Sequence, residues 1–404
     1  MTFIKKIISR LSQPPGVLSW ARILGHNQEE SRHHWKAMWT VYPQQSVSVY
    51  RGVYLLQLLS WYSVFAWINL AKGIRYIVKK SRREGKRIAF KEIVKLIYLL
   101  FAYTIPLPSI VRYRLLENPC REVLAHIYPH EIPKWQYMLC KETISDHEKK
   151  MLSDKSYFAD ICIKNNIPCI ETILDIPQSS DESVIEKILT VGQSFFLKPP
   201  NANRSRACYL LEFANGSHQL NLLGDEKVFS QRSLIIEELK RANKTFNLIV
   251  QPLLKNIPSW QDLSKSNELI TMRLITELYG DRCQLIAAVL EIPKENRGKF
   301  YNIIPIHPKT GLVHDQLFGY NGKELEERQV RLLSRIGSTE VPHWDEVVEN
   351  LQKAHAQCPH IKTVGWDMAV TPKGPVIIEG NFGWGVHTLT RNPLALKKLI
   401  DIEI

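Results

Sequence analysis

Two carboxylates and one amide occur close together near the end of the sequence. The stretch VGWDMAVTPKGPVIIEGN, residues 364–381, holds two apolar runs. Asp367 interrupts the first run, and Glu379 and Asn381 end the second. Carboxylate and amide oxygens are the donors that hard divalent cations prefer, so the stretch favours metal chemistry.

The segment between the two runs has the composition of a tight turn. Proline presets φ for the first turn position, and Gly374 can adopt the left-handed conformation that closes a three-residue, bulged loop. Such a loop places Thr371 opposite Pro375 and therefore Asp367 opposite Glu379. Because side chains alternate along a strand, the hairpin has an oxygen-bearing face and an apolar face. The first comprises Asp367, Ala369, Ile377, Glu379 and Asn381, and the second comprises Trp366, Met368, Val370, Val376 and Ile378.

Adjacent oxygens on this face repel one another unless a cation lies among them. Mg²⁺ suits the set, since it accepts a few carboxylate oxygens and completes its coordination with phosphates and water. A polar strand face in water needs no ligand, and the hairpin alone leaves that interpretation open.

The length and composition predict a globular protein of two or three domains. The chain has 404 residues, of which 45% are hydrophobic and 23% charged. Its net charge of +13 is uneven, because residues 1–150 carry 24 Lys and Arg against 10 Asp and Glu, whereas residues 151–404 carry 29 against 30. The basic excess in the first part favours contact with a polyanion or an anionic membrane surface there.

The seven cysteines form no CxxC pair and have no repeated spacing. This usage predicts reduced thiols in the cytoplasm and argues against a disulfide framework or a zinc site. We find no Ser-His-Asp set, dinucleotide fingerprint or Walker loop.

One segment complicates a cytoplasmic assignment. Residues 52–71 carry no charge for 20 residues, and eight Lys and Arg follow between positions 72 and 87. The segment is long enough to span a bilayer. Polar residues interrupt it and two aromatic residues lie at its middle, which favours a buried or surface-seated helix over a true span. These residues are Gln57, Ser60, Ser63, Asn69, Trp61 and Tyr62.

The pattern of elements changes near residue 151. Residues 1–150 are predicted to be mostly helical, with joints marked by proline. The remainder alternates irregularly between helices and strand-rich stretches, including a helix ending near Asn165–Asn166 and the helix SQRSLIIEELKRAN opened by a serine cap. Without regular βαβ alternation, this texture predicts an α+β protein of two lobes.

The order of these segments resembles the ATP-grasp superfamily and is most similar to its sugar-transfer-associated proteins. The closing GWDMAVTPKGPVIIEGN is the most specific part, and the resemblance covers about residues 85–404. It implies a two-lobed ATP-grasp fold over residues 151–404 with a hinge near 249–254. A basic, mostly helical region, residues 1–150, precedes that domain.

The resemblance also implies roles for individual residues. Asp367, Glu379 and Asn381 would hold Mg²⁺ between the ATP phosphates. Lys155 and Lys198 match the two lysines that hold the α- and β-phosphates, although each taken alone reads equally as a solvated lysine at the end of an element.

The hinge and one strand arginine complete the implied nucleotide site. In LIVQPLL, the backbone around Gln251 and Leu253 would read the adenine edge, although the segment also reads as an ordinary core strand. Arg273, on the apolar strand TMRLIT, matches the arginine that faces the transferring phosphoryl group. A structural salt bridge is the alternative for this arginine.

Two segments depart from the family pattern. The loop NANRSRA lacks the usual glycines, so Arg204 and Arg206 would replace backbone amides by charge. YNIIPIHPKTG lacks a Gly-Gly turn, which leaves the acceptor unspecified. After the hairpin, Gly383 and Gly385 offer a backbone turn near the γ-phosphate, and His387 and Arg391 offer contacts to a substrate carboxylate.

The resemblance implies a ligase that uses ATP and Mg²⁺ to activate a small carboxylate as an acyl phosphate for an amine or hydroxyl acceptor. It implies a role in polysaccharide or cell-surface glycan biosynthesis. The alternatives are an ATP-grasp kinase acting on a sugar or other alcohol and a nucleotide-binding scaffold without turnover. We expect a cytoplasmic protein with peripheral membrane contact through residues 1–150 and no nucleic-acid partner.

Overall fold

The computed structural model describes most of the chain in two compact units, one before residue 143 and one from there to residue 384. The described residues are 39, 46–83, 85–87, 89–113, 115–117, 123–124, 126, 128, 131, 134–135, 138, 144–201, 207–223, 227–264, 268–280, 282–293, 301–314, 318–319, 332 and 334–384. The predicted domain boundary at residue 150 stays a prediction.

The first unit is helical, as predicted. Its helices are α1 Val47–Ser60, α2 Ala66–Arg83, α3 Phe90–Phe101 and α4 Leu107–Arg112. A π-helical turn, Trp61–Phe65, joins α1 to α2, and the Ala66 N–H donates to the carbonyl of Trp61 five residues earlier. Helix α3 ends at Phe101 and α4 begins directly after Pro106, which agrees with the prediction that proline marks the joints between helices.

The helix Val47–Arg82 is 36 residues long and is apolar enough to cross a membrane by length and composition. Only 17% of its most apolar 18-residue window is buried. Of the two predicted alternatives to a span, a buried or a surface-seated helix, the low burial agrees with the surface-seated one.

The second unit combines five further α-helices with twelve strands among the described residues. The helices are α5 Asp146–Met151, α6 Lys155–Lys164, α7 Glu182–Thr190, α8 Arg232–Asn243 and α9 Trp344–His355. The strands are β1 Leu174–Ile176, β2 Phe195–Lys198, β3 Tyr209–Ala214, β4 Ser217–Leu222, β5 Val228–Phe229, β6 Leu248–Pro252, β7 Thr271–Tyr279, β8 Arg282–Pro293, β9 Tyr301–Ile306, β10 Phe318–Gly319, β11 Thr363–Thr371 and β12 Gly374–Asn381.

The twelve strands form two antiparallel sheets. The first has the order β1-β6-β2-β3-β4-β5, and helices α7 and α8 cover one of its faces. The second has the order β10-β9-β8-β7-β11-β12, with α9 packed beside it. Antiparallel sheets with helices on one face confirm the predicted α+β class.

Two predicted helix ends can be compared with the structure. Helix α6 ends at Lys164 with Asn165 as its C-cap, as the sequence predicts. Helix α8 begins at Arg232 with Gln231 as its N-cap, and no side chain caps it. The predicted serine cap is therefore wrong, since Ser230 lies one residue before the N-cap position.

Candidate active site

The β11–β12 hairpin brings Asp367 opposite Glu379, as the sequence predicts. The turn itself is one residue tighter than expected, because Thr371 pairs with Gly374 and not with Pro375. Gly374 has a φ of +107°, and the Thr371 hydroxyl donates to its carbonyl at 2.9 Å. A bulge between Asp367 and Met368 inserts one residue into β12. The extra residue restores the expected pairing of Asp367 with Glu379.

Because of the bulge, the predicted faces of three residues on β12 were wrong. Ile377 pairs with Met368 and is fully buried, whereas Val376 and Ile378 are half-buried. The oxygen-bearing face survives because the bulge lies between these residues and the carboxylates. Asp367 and Glu379 face each other, and Asn381 follows two positions later on the same face.

Strand β7 adds a cation to this face. Arg273 pairs in register with Asp367, and its Nε lies 2.7 Å from Asp367 Oδ1. The Nε–H is not aligned on that oxygen for a hydrogen bond, so the contact is ionic. The predicted arginine thus lies beside the predicted metal ligand, and both side chains are largely buried.

The two carboxyl groups respond differently to this setting. Burial, together with the nearby Glu379, raises the pKa of Asp367 well above its usual range, although Arg273 opposes the shift. Burial also raises the pKa of Glu379, but Lys155 and Lys198 outweigh it and leave this pKa below its usual value. Glu379 therefore holds a negative charge more readily than Asp367 does.

Both predicted lysines lie near Glu379. Lys155 begins α6, which Asp154 caps, and its Nζ lies 3.0 Å from Glu379 Oε2 and 3.3 Å from the carbonyl of Pro200. Lys198 ends β2, and burial lowers its pKa while Glu379 acts against that shift. Its ammonium lies 5.7 Å from the ring centre of Phe196. Three distant sequence segments therefore supply charges to one place.

Strand β6, which lies in the predicted hinge, presents a polar side chain on the same face as Lys198. In the register of β2 and β6, Lys198 pairs with Ile249, and Phe196 pairs with Gln251. The opposite face of these strands belongs to the core under α7 and α8. Gln251 is 1% exposed, and neither its amide oxygen nor its amide nitrogen has a hydrogen-bond partner among the described residues. A buried amide without partners is costly, so its position points to a ligand that supplies them.

The remaining predicted site residues divide into two groups. Leu253 follows β6 directly and is half-buried, and Gly383 follows β12 in open space, where an added Cβ would meet nothing within 4 Å. Arg204, Arg206, Gly385, His387 and Arg391 lie outside the described residues.

The sequence did not indicate one acidic neighbour of the site. Glu291 on β8 pairs with Thr271, two positions from Arg273 on the same face of β7. It is half-buried and acts electrostatically on Asp367. The sequence offered one signal, which is that Glu291 lies an even number of positions from the β8 residue that pairs with Arg273. This signal can be used only when the pairing of β7 with β8 is known.

The donor set fits Mg²⁺ and does not fit a metal held by protein side chains alone. No group of three or more His, Cys, Asp or Glu suited to a metal occurs within the described part of the chain. The set is two carboxylates and the Asn381 amide, whose nitrogen lies 3.4 Å from Glu379 Oε1. Mg²⁺ accepts such a set because phosphates and water complete its coordination.

Comparison with known proteins identifies one family. A family model of sugar-transfer-associated ATP-grasp proteins matches residues 138–401. No curated protein sequence matches this chain.

Several solved structures are similar to the chain at low identity. A D-cycloserine synthetase is 14% identical, with 63% of this chain and 72% of that chain covered and a TM-score of 0.35. D-alanine–D-alanine ligase from Helicobacter pylori is 11% identical, with coverages of 64% and 62% and a TM-score of 0.41. N5-carboxyaminoimidazole synthetase from Staphylococcus aureus, complexed with ADP, is 9% identical, with coverages of 63% and 51% and a TM-score of 0.38. The chain thus spans between about half and three quarters of the length of these proteins.

Proposed function

The chain belongs to the sugar-transfer-associated ATP-grasp family, and we propose that it is an ATP- and Mg²⁺-dependent ligase. It would activate a small carboxylate as an acyl phosphate and transfer the acyl group to an amine or hydroxyl acceptor. One observation carries the proposal. Two carboxylates and three cations from distant segments converge on one partly buried face.

The lysines and the hinge would bind the nucleotide. Lys155 and Lys198 are point charges whose present counter-ion is Glu379, so phosphate oxygens can take over that role. Gln251 has an unsatisfied amide one strand away from Lys198, which suits the donor and acceptor edge of a base. Leu253, just beyond it, would add backbone contacts and apolar surface.

The acidic residues would hold the metal. Asp367, Glu379 and Asn381 supply oxygen donors on one strand face, and Mg²⁺ bound there would neutralise charge on the phosphates. Asp367 has to be ionised to serve as a ligand, and Arg273 at 2.7 Å favours that form.

Arg273 is the residue that would act on the transferring group. A carboxylate oxygen of the substrate attacks the γ-phosphorus, the bond to the β-phosphate oxygen breaks, and ADP leaves. Arg273 would stabilise charge on the phosphoryl oxygens during this step, held in place by Asp367. The acceptor then attacks the acyl carbon, phosphate leaves, and the acceptor's proton is released.

Six further residues would complete the site. Arg204 and Arg206 would cover the phosphates, Gly383 and Gly385 would bring backbone amides near the γ-phosphate, and His387 and Arg391 would bind the substrate carboxylate. These assignments rest on the match of sequence segments to the family.

The reaction class has a direct chemical test. An acyl phosphate is electrophilic at carbon, so hydroxylamine converts it to a hydroxamate and releases phosphate. We expect ATP-dependent hydroxamate formation when the protein is screened with Mg²⁺, hydroxylamine and panels of sugar acids and amino acids. A stable phosphate ester with ADP release and no hydroxamate would replace the ligase with a kinase. Binding of ATP without turnover of any carboxylate or alcohol would instead indicate a scaffold.

The setting of the reaction is part of the proposal. The family's association with sugar transfer supports a role in polysaccharide or cell-surface glycan biosynthesis at the cytoplasmic side of a membrane. If fluorescent fusions of the full chain were found outside the cytoplasm, where Mg·ATP is scarce, this placement would be wrong.

A further inference from the structure

The long helix of the first unit, Val47–Arg82, has a continuous buried face and a continuous exposed face. The buried face carries residues spaced by seven, five, seven and four positions, namely Tyr54, Trp61, Ala66, Gly73 and Ile77. The spacing of five is the π-helical turn, which inserts one residue and so keeps both faces aligned along the helix. The exposed face therefore runs uninterrupted for about 54 Å, at 1.5 Å per residue.

The chemistry of the exposed face changes sharply near residue 70. Before that point its large exposed side chains are apolar except for Arg51 in the second turn, and Leu55, Leu59 and Trp67 are each more than half exposed. Beyond it, exposed basic residues recur with the same periodicity, namely Lys72, Arg75, Lys79 and Arg82. We call the first part, with Leu55, Leu56, Leu59, Trp67 and Ile68, the apolar half, and the second part the basic half.

Three polar side chains within the apolar half already have hydrogen-bond partners in the protein. The Ser63 hydroxyl donates to the Leu59 carbonyl at 2.6 Å, and the Trp67 indole N–H donates to the Tyr62 carbonyl at 3.0 Å. Asn69 donates to the Phe65 carbonyl and accepts from the backbone N–H of Leu107. Polar side chains satisfied in this way can enter an apolar medium without losing hydrogen bonds to water.

The buried face of the same helix excludes a lipid environment on all sides. Lys134 contacts the hydroxyl and the ring of Tyr50, and burial lowers the pKa of this lysine. Glu131 is buried and acts electrostatically on both Lys134 and Tyr54. A helix that crossed the bilayer here would carry these ionisable groups into hydrocarbon, at a large cost.

From these observations we propose that the exposed face of helix Val47–Arg82 is a one-sided contact surface for an anionic lipid bilayer. The apolar half lies among the outer acyl chains, and the basic half lies on the phosphate headgroups. A folded protein partner would also cover apolar residues. The four aligned cations and the absence of acidic residues from residues 47–82 favour a surface of continuous negative charge.

The test is sedimentation of the full-length protein with vesicles. Phosphatidylcholine vesicles are compared with vesicles that also contain phosphatidylserine, across a salt titration. We expect binding to anionic vesicles that weakens as salt rises, because surface charges are screened. Lack of binding to anionic vesicles at low salt would overturn the proposal, and so would release from vesicles by detergent alone and never by salt, which indicates a span.

Two sets of variants separate the halves of the surface. Substituting Lys72, Arg75, Lys79 and Arg82 with Gln should lower the partition constant about fivefold per charge removed and abolish the preference for anionic lipid. Leu55→Gln and Leu59→Gln should each lower it on the order of tenfold, in both kinds of vesicle. Matched controls lie on exposed positions of the second unit, and they should bind like the unaltered protein. The controls are Lys164→Gln, Lys187→Gln, Lys244→Gln and Lys309→Gln for charge, and Ile163→Gln and Leu234→Gln for apolar surface.

Two further measurements address how deeply the exposed face of the helix enters the bilayer and whether a second copy of the chain covers that face instead. Vesicles with brominated acyl chains should quench the fluorescence of the protein, and Trp67→Phe should remove a defined part of that quenching. If Leu55→Gln and Leu59→Gln instead lower the mass of a self-associated species and leave vesicle binding unchanged, a second copy of the chain covers the face and the lipid proposal is wrong. Equal loss of vesicle binding in the control variants would also contradict it.

Discussion

Polar side chains are hydrogen-bonded to one another on one face of strands β7 and β11 and are in ionic contact on the other face. On one face, Trp366 donates its indole N–H to the Thr276 hydroxyl at 2.6 Å, and Thr276 lies 2.7 Å from His355 Nδ1. His355 Nε2 in turn lies 2.8 Å from the carbonyl of Ile361, so this chain of bonds ends on the backbone. On the other face, Arg273 and Asp367 are in ionic contact without hydrogen-bond alignment.

The difference separates residues that stabilise the fold from residues that we propose to bind a ligand. The Trp366–Thr276–His355 chain is dry and complete, and each of its members has a partner supplied by the protein. The carboxylate face holds two close acids, one with a raised pKa, and cations that share them. Sites that bind charged ligands commonly carry such strain, and relieving it by mutation raises stability while function is lost. The predictions below test this contrast from its largest effect to its smallest.

Replacing Glu379 should have the largest effect. We expect Glu379→Gln to lower ATP turnover in the hydroxylamine assay at least about a hundredfold, since even the neighbours of metal ligands typically matter 10–100-fold. The free energy of unfolding should fall far less than turnover does, although Lys155 and the buried Lys198 lose their counter-ion. Both quantities are measured across a Mg²⁺ titration, with Glu349→Gln on the exposed side of α9 as the control. A normal Mg²⁺ dependence in Glu379→Gln would show that the metal site is wrongly placed.

Replacing Lys198 should affect nucleotide binding next most strongly. Lys198→Ala is expected to raise the dissociation constant for ATP about 10–100-fold, the scale of one charge-assisted contact. Stability should not fall, since the cost of burying an ammonium group disappears with it. Calorimetric titration with ATP measures the change, and the exposed Lys187→Ala is the control. Unchanged affinity in both Lys198→Ala and Lys155→Ala would remove these lysines from the phosphate site.

On the face that carries the Trp366–Thr276–His355 chain, a substitution should lower stability and leave ATP binding unchanged. Thr276→Val keeps the shape of the side chain but leaves the Trp366 indole N–H without its partner and leaves His355 Nδ1 only the Cys283 thiol at 3.6 Å. We expect the free energy of unfolding to fall by about 1–3 kcal/mol per unsatisfied group in the dry interior. Affinity for ATP should be unchanged. Chemical denaturation of this variant is compared with Thr190→Val, whose hydroxyl is exposed. If Thr276→Val lost ATP binding and kept its full stability, the assignment of one face to folding and the other to ligand binding would be wrong.

The sequence predicted much of this arrangement, and its failures have physical reasons. Asp367 and Glu379 could be placed opposite each other because side-chain alternation allows one register that keeps acids out of the core. The bulge could not be predicted, because Ile377 and Ile378 are identical and only packing decides which is buried. The same limit hid the buried amide of Gln251, whose environment depends on pairing with Phe196 from a distant segment.

The alternating runs of the second unit were sufficient to predict several of its strands, including β6, β7, β11 and β12, and the α+β class. Contacts between elements were not predictable in the same way. Arg273 and Asp367 were each identified from the sequence, but their pairing follows from the order β7-β11-β12, which no local pattern encodes. The family match then supplies the ATP-grasp fold that joins these pieces.

The smallest predicted effect is a pH dependence that arises at His355. Burial lowers the pKa of this side chain to about 4, although the Ile361 carbonyl beside its Nε2 acts in the opposite direction. The unfolded chain, with a histidine pKa near 6.5, binds this proton more readily than the folded chain does. The neutral ring therefore contributes stability that is fully present above about pH 6.5 and is lost as the pH falls towards 4.

Over part of that window the loss is modest. Between pH 7 and pH 5.5 this group should account for about 1 kcal/mol of the free energy of unfolding. The measurement is chemical denaturation at both pH values for the unaltered protein and for His355→Gln, because the difference between them cancels the other titrating groups. His343→Gln, at an exposed position, should retain the full pH dependence. If His355→Gln also retains the full pH dependence, burial does not keep the His355 ring neutral. The pKa argument for a difference between the two faces of the sheet would then be wrong.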